Sequence, residues 1–224
     1  MRQETAIKHR EKLSRERVVE AALKIMDTEG LEAVTMRRVG RELGVEAMSL
    51  YNHVRDKDDL LQAIRGHVLS QFEDPGMEGP WEERARRAAR SWRQVLRAHP
   101  DMLRLISEEK IPDLSPDSIR PNEVALRMIR EVGLSDADAV KAFCAFGGYI
   151  VGFVLFEIGT MHAKEGAAAM PSPDQLAAGL PVDEFPCFLG SLPYLMAGDI
   201  DERFEYGLDL MIAGLRAKAH RLAD

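Results

Sequence analysis

The sequence predicts an all-α fold, in which a three-helix N-terminal domain built around a helix-turn-helix precedes a larger helical domain. Three observations predict it. Aromatic residues make up only 6% of the 224 residues while Ala, Leu and Arg abound, a helical bias. The stretch TMRRVGRELGVEAMSLYNHVRDK, Thr35 to Lys57, spaces apolar residues at Val39, Leu43, Val45, Leu50 and Val54 around Gly40 and Gly44. Nearer the C-terminus, residues 142–156 are apolar throughout and residues 202–222 carry an apolar face at helical spacing. With 46% hydrophobic residues the chain can bury a core, as one large domain or two small ones.

Ser14 is placed to cap a first helix with the stripe Val18, Ala22, Ile25 and Met26, which Gly30 ends. Thr35 caps the second. Two short helices that cross steeply need a residue without bulk where they touch, which Gly40 supplies, and a left-handed turn residue, which Gly44 supplies. Val39, Leu43 and Leu50 then face inward, while Arg37, Arg41, Ser49, Tyr51 and Asn52 face outward. Glu46, at the start of the third helix, is a poor cap. Asp56 caps a fourth helix from Lys57, with Asp59 completing a capping box, and that helix continues through Leu60, Leu61, Ile64, Val68 and Phe72 to stop before Asp74-Pro75-Gly76. The domains are bounded as a flexible arm at 1–13, the three-helix domain at 14–58 and the larger domain at 59–224.

Trp81 to Ala98 reads as an Arg-rich amphipathic helix with Ala85, Ala88, Ala89, Trp92, Val95 and Leu96 inside, broken by His99-Pro100. A short helix with Met102, Leu105 and Ile106 follows, then a Pro-punctuated loop from Ile111 to Pro121 and a helix from Val124 to Glu131 that Gly133 ends. Ser135 caps the next. Its run AFCAFGGYIVGFVLF is 15 residues long and Glu157 follows, against the roughly 20 residues a bilayer needs, so no membrane span is expected. A helix apolar on all sides is buried on all sides, in its own core or against a partner, and Gly147, Gly148 and Gly152 would admit a close neighbour. Residues 163–199 read as a long loop with one short helix near Phe188 to Met196. The last helix, Glu202 to Leu222, lines up Phe204, Leu208, Met211, Ile212 and Leu215.

The net charge of −7 argues against indiscriminate coating of nucleic acid. Residues 1–57, however, hold 12 basic against 10 acidic side chains, and the rest of the chain 18 against 27. A basic face on an acidic body can still hold phosphate, because screening limits distant charges to about 8 Å. Cys144 and Cys187 support neither a disulfide framework nor a zinc site. The N-terminus MRQETAIKHREK has no apolar h-region, so a reduced, cytoplasmic setting is expected. No HExxH, GxSxG or P-loop occurs and the histidines are scattered, so no cofactor or metal is expected and a helical enzyme is the remote alternative.

TMRRVGRELGV followed by SLYNHVRDKDDLL resembles the DNA-binding domain of the TetR family of bacterial transcriptional regulators, closely over residues 14 to about 70. Trp81, the GGYIVG run and FEYGLDLMIAGL at 204–215 resemble, less closely, the regulatory domain of the tetracycline-repressor-like members. The likeness implies a C-terminal regulatory and dimerisation domain whose two long helices, about 136–162 and 202–220, pair with their copies as a four-helix bundle. The expected dimer contacts are Gly148, Gly152, Phe156, Leu208, Met211, Ile212 and Leu215. It further implies a homodimer on a palindromic DNA operator with half-sites about 34 Å apart or a multiple of that.

For base readout the residue types point to Arg37 for guanine, Ala47 and Met48 for thymine methyls, Asn52 for adenine, and Ser49 and His53 beside them. Thr35, Tyr51 and Lys57 are placed for phosphates, the role the resemblance assigns to the matching residues. Tyr51 and His53 could instead only pack, and the arm, with Arg2, Lys8, Arg10 and Lys12, is either a free tail or a reach toward DNA. The family places an apolar pocket for a small-molecule effector between helices, and Phe72, Trp92, Met102, Ile106, Met128, Phe146 and Tyr149 are the candidates to line it; plain core packing is the alternative. The histidines with which the tetracycline-responsive members hold drug and metal fall at or beside Phe72 and at Ile106, and neither is His here. That departure favours an apolar, uncharged effector, with Glu109 or Arg93 to orient it. A DNA-binding regulator or architectural protein without any ligand is the rival reading.

Overall fold

The computed structural model describes residues 12–107, 114–166 and 172–223. Among them every regular element is helical: α1 (Arg15–Glu29), a 3-10 turn (Leu31–Ala33), α2 (Met36–Leu43), α3 (Ala47–Leu50), α4 (Lys57–Leu69), α5 (Trp81–Ala98), α6 (Met102–Ser107), α7 (Pro116–Arg130), α8 (Asp136–Gly166), α9 (Pro173–Ala177), α10 (Pro186–Ala197) and α11 (Ile200–Ala223). The helices gather into two compact units. The first takes the residues up to Gln71 and returns for Ala98–Ile119; the second takes Phe72–Arg97 and the chain from Arg120 onward. The chain therefore passes between them after Gln71, after Arg97 within α5 and after Ile119 within α7.

In the first unit α1 buries Val18, Ala22, Ile25 and Met26, the predicted stripe, together with Val39 of α2, Leu50 of α3 and Leu60, Ile64 and Val68 of α4. Ser14 accepts from the Arg17 N–H at the start of α1, and Gly30, at φ +89°, closes its end. Leu43 is only half-buried, a correction to the expected inward trio, because the chain leaves α2 at the next residue. The fourth helix is shorter than predicted. It stops at Leu69, where the N–H groups of Ser70 and Gln71 turn back to the Gly66 and Val68 carbonyls, so Phe72 lies beyond it.

In the second unit Ala88, Val124 and Met128 form one apolar cluster, and Ile129, Leu134, Ala139 and Leu215 another. The predicted loop up to Pro121 is instead helical from Pro116, and α7 carries Pro121 inside it. Proline there removes a single backbone hydrogen bond, which packing of Val124 and Met128 outweighs. Gly133, at φ +88°, and Ser135, accepting from the Asp138 N–H at 3.2 Å, make the expected joint before α8. The predicted long loop holds two helices, α9 and α10, the first with a capping box between Ser172 and Gln175.

One expectation about α8 is corrected and another narrowed to its partner alternative. Residues Asp136–Gly159 form a 24-residue stretch of mean hydropathy 1.9, so length does not exclude a membrane span. Burial at its far end argues against one: Glu157, 2% exposed, is paired inside the protein with Arg93, buried on α5. Nor is the helix buried on all sides within the chain, since Val140, Leu155 and Phe156 are exposed.

Candidate nucleic-acid interface and effector region

The outer face of α2 and α3 is assembled by two backbone devices. A Cβ on Gly40 would stand 2.9 Å from the Val45 carbonyl oxygen and 3.2 Å from the Ala47 nitrogen, so only glycine lets α2 meet the start of α3 this closely. Gly44, at φ +66° and ψ +36°, makes the left-handed turn between them. With Val39 and Leu50 buried beneath, α3 is a single turn whose outer side faces solvent. Met48 is 74% exposed, Tyr51 and Asn52 are exposed, and Ala47, Ser49 and His53 are half-buried. Glu46 makes no side-chain cap to α3.

The charges on this face are sorted by pairing. Arg38 is spent on Glu29 at 2.5 Å and Glu42 at 2.9 Å, and Lys24 takes the other oxygen of Glu42. Arg37, Arg41 and Lys57 are exposed and have no ion-pair partner among the described residues. Thr35 accepts from the Arg38 N–H at 3.1 Å, which leaves its own hydroxyl hydrogen free to donate. Of the arm, only Lys12 and Leu13 lie among the described residues.

One strut went unforeseen. Arg15, in the first turn of α1, donates to the His53 carbonyl at 2.7 Å and to both oxygens of Asp59 at 2.8 and 3.1 Å. Asp59 also accepts from the Arg55 N–H at 2.8 Å. The expected capping box is thus half formed: Asp56 accepts from the Asp59 N–H, but Asp59 reaches Arg55 rather than the Asp56 backbone, because Arg15 draws it toward α1. The Arg15 hydrogen bonds, aided by Arg55 and opposed by burial, hold the Asp59 carboxyl at about 2, down from 3.8.

Residues 18–64 match the bacterial regulatory proteins of the tetR family, and residues 74–219 match its tetracyclin repressor-like C-terminal domain. The chain belongs to the TetR family. The HTH-type transcriptional repressor DrrR1 of Streptomyces coeruleorubidus is 32% identical over 211 residues, covering 91% of this chain and 77% of DrrR1. The class D tetracycline repressor protein of Escherichia coli is 29% identical, covering 92% of this chain and 91% of that protein. Among solved structures, Streptomyces coelicolor ActR in complex with actinorhodin superposes with a TM-score of 0.76 at 33% identity, over 93% of this chain and 99% of ActR. BioQ with its natural double-stranded DNA operator does so with a TM-score of 0.62 at 28% identity, over 92% and 99%. The family is one of transcriptional regulators, not of enzymes.

In this TetR-family regulator the predicted effector residues fall into separate groups. Phe72 meets Trp92 edge-on at 6.4 Å and packs on the cluster that holds Met128. Phe146 packs on the cluster of Ile129, Leu134, Ala139 and Leu215. Tyr149 donates to the Phe204 carbonyl at 2.7 Å, stacks on the Phe204 ring and lies across Gly207, where a Cβ would meet its ring. Met102, fully buried, and Ile106 belong to the first unit. Glu109 lies outside the described residues. A cleft of about 530 Å³ between α7 and α8 is lined by Glu123, Arg127, Arg130 and Glu131 among others, and none of the predicted effector residues lines it.

Periodicity gave no warning of the polar core of the second unit. Arg93 donates to both oxygens of Glu157, at 3.0 and 2.7 Å, and to Asp201 at 2.6 Å, while its guanidinium lies over the rings of Phe204 and Phe153. Arg97 reaches Glu157 at 3.3 Å, and Arg84, equally buried, pairs with Glu131. Further rungs join α5 to α11: Arg86 to Asp209, Arg90 to Glu205 and Glu82 to Arg216. The inner face of α5 is therefore partly cationic, and Ala85 and Trp92, expected inside, are only half-buried.

The expected dimer contacts divide by exposure. Gly148, Gly152 and Phe156 on α8 are exposed, and no side chain comes within 4 Å of a Cβ built on either glycine. Leu208, Ile212 and Leu215 on α11 are buried within the chain itself, which corrects their assignment to a partner, and Met211 is half-buried. The outer side of α11 carries Tyr206, 69% exposed, and Leu210 instead.

Proposed function

We propose that this protein is a repressor that binds a palindromic operator in the cytoplasm as a homodimer and lets go when a small, largely apolar effector enters its second unit. The observation that carries this reading is the exposed face of α2, α3 and the start of α4. Arg37, Met48, Asn52 and Lys57 stand free of internal partners on a backbone fixed by Gly40 and Gly44. Arg37 suits guanine, Met48 and Ala47 thymine methyls and Asn52 adenine; Ser49 and His53 flank them, and Thr35, Tyr51 and Lys57 hold phosphates.

The exposed apolar side of α8, with Phe156, Gly148 and Gly152, and that of α11, with Tyr206 and Leu210, supply the pairing surface. ActR with actinorhodin and BioQ with its DNA operator support the two binding roles by similarity. For the effector, Phe72, Trp92 and Met128 form the nucleus of the wall, with Phe146 and Tyr149 of the same unit as further candidates.

The test is selection of genomic fragments by the purified protein, followed by titration on the recovered site. An inverted repeat is expected. Lys57→Ala should weaken binding to all sequences and lower the salt dependence by about one counterion, whereas Arg37→Ala should relax preference at one base pair. Recovery of random fragments only, or an unchanged salt slope in Lys57→Ala, overturns the reading.

A further inference from the structure

The cleft of about 530 Å³ between α7 and α8 lies wholly in the second unit and shares no residue with the proposed reading face or with the proposed effector wall. Its size falls within the range of small-molecule sites, roughly 300 to 1,000 Å³. Glu123, Leu126, Arg127 and Arg130 follow one another at helical spacing along one side of α7, and Ala139 and Val140 line the cleft from α8. Pairing divides the charges. Glu131 is taken by Arg84, buried on α5, and Asp136 by Arg130 at 3.1 Å. That leaves Glu123 and Arg127. They stand four residues apart, in the order in which a carboxylate and a cation on one helix ordinarily pair, yet they do not pair with each other. Glu123 is exposed, and its carboxylate has no partner among the described residues. The ion pair of Arg127 is with Asp74 at 3.5 Å, the outer limit of a hydrogen bond, and its Nε is buried with no partner among the described residues. One anion and one cation are thus held a helical turn apart, beside an apolar strip of Leu126, Ala139 and Val140.

We propose that this cleft binds a small zwitterion with an apolar body, the chemistry of an apolar α-amino acid. The carboxylate of the ligand takes Arg127, whose contact with Asp74 is too long to compete with a direct charged hydrogen bond. The ammonium takes Glu123, and the side chain covers Leu126, Ala139 and Val140. The rest of the lining selects against either half alone. A bare anion meets three carboxylates, Glu123, Glu131 and Asp136, and a bare cation meets two guanidiniums, Arg127 and Arg130. A molecule that carries both charges in one piece answers both objections. Because α7 and α8 both line the cleft, an occupant ties the two helices together and raises the melting temperature as its concentration rises. The site stands apart from the repressor reading and needs no DNA to be observed.

The test is calorimetric titration of the full-length protein, without DNA, with three probes. L-phenylalanine carries both charges, N-acetyl-L-phenylalanine keeps only the carboxylate, and L-phenylalanine methyl ester keeps only the ammonium. The amino acid should bind on the order of tenfold more tightly than either derivative, as expected for one lost charged hydrogen bond. Two variants place it in the cleft. In Glu123→Gln the advantage over the N-acetyl compound should vanish, and in Arg127→Met the advantage over the ester should vanish; a general loss of structure would not give these opposite selectivities. Glu123 is exposed, so Glu123→Gln decides the matter even where Arg127→Met fails to fold. No binding of L-phenylalanine at about 10 mM overturns the proposal. So does a derivative that binds as tightly as the amino acid, or a Glu123→Gln protein that discriminates as the wild type does. Failure to recover an inverted repeat would sink the repressor reading and leave these titrations unaffected.

Discussion

Asp59 shows how one carboxylate can fix the backbone behind the proposed DNA-contacting residues. Its carboxylate gathers Arg15 from α1 and the Arg55 backbone, and the same Arg15 holds the carbonyl of His53 just past the reading turn. Because its folded pKa is depressed, from 3.8 to about 2, the pair stabilises fully above the ordinary carboxylate range and fades as pH falls toward 2. Asp59→Asn should cost roughly 2 kcal/mol at pH 7 and should not show the wild type's extra loss between pH 4 and 2, read from urea midpoints. The strut was illegible in the sequence, since Arg15 and Asp59 are 44 positions apart and Asp59 reads locally as a capping-box residue. The caps, by contrast, were legible at Ser14, Thr35 and Asp56, because a cap is a local bond to an N–H three residues on.

Among the helices, the α2–α3 crossing brings backbone against backbone at Gly40. Gly40→Ala should destabilise the first unit by roughly 1 to 3 kcal/mol and abolish operator binding, measurable by thermal melting and DNA titration, because the new methyl meets backbone that cannot yield. The pairings along α5 are of another kind. Arg86–Asp209 and Arg90–Glu205 are partly solvated and contribute little each, whereas Arg93–Glu157 is buried. Arg93→Met should cost roughly 3 kcal/mol by taking the two-bond partner from buried Glu157 and leaving it Arg97, while the double change Arg93→Met with Glu157→Met should cost less; equal losses in both would refute the burial argument. Such pairs explain where the sequence reading of the second unit ran short. Apolar periodicity finds faces that pack on apolar faces, but Arg84 and Arg93 pack on carboxylates from distant helices. Pro121 misled for a similar reason, since a missing hydrogen bond looks like a break until the neighbouring packing is known.

At the scale of the whole molecule, the proposed pairing surface is the exposed apolar sides of α8 and α11. Phe156→Glu should halve the mass seen in sedimentation at micromolar concentration and weaken operator binding, while each head stays folded. The helical order of the chain and the head were readable in advance because both follow from local periodicity and two glycines. Which residues of α11 face outward was not, because a helix with a broad apolar band does not say which half its own chain will cover. The four-residue α3 carries a further implication. Leu50 alone of its residues is buried, so on the proposed function Met48 and its solvent-facing neighbours Tyr51 and Asn52 answer to the DNA, while the core does not constrain them. Lineages descended from such a protein can change the sites they recognise, and with them the genes they govern, through two or three replacements that the scaffold scarcely registers.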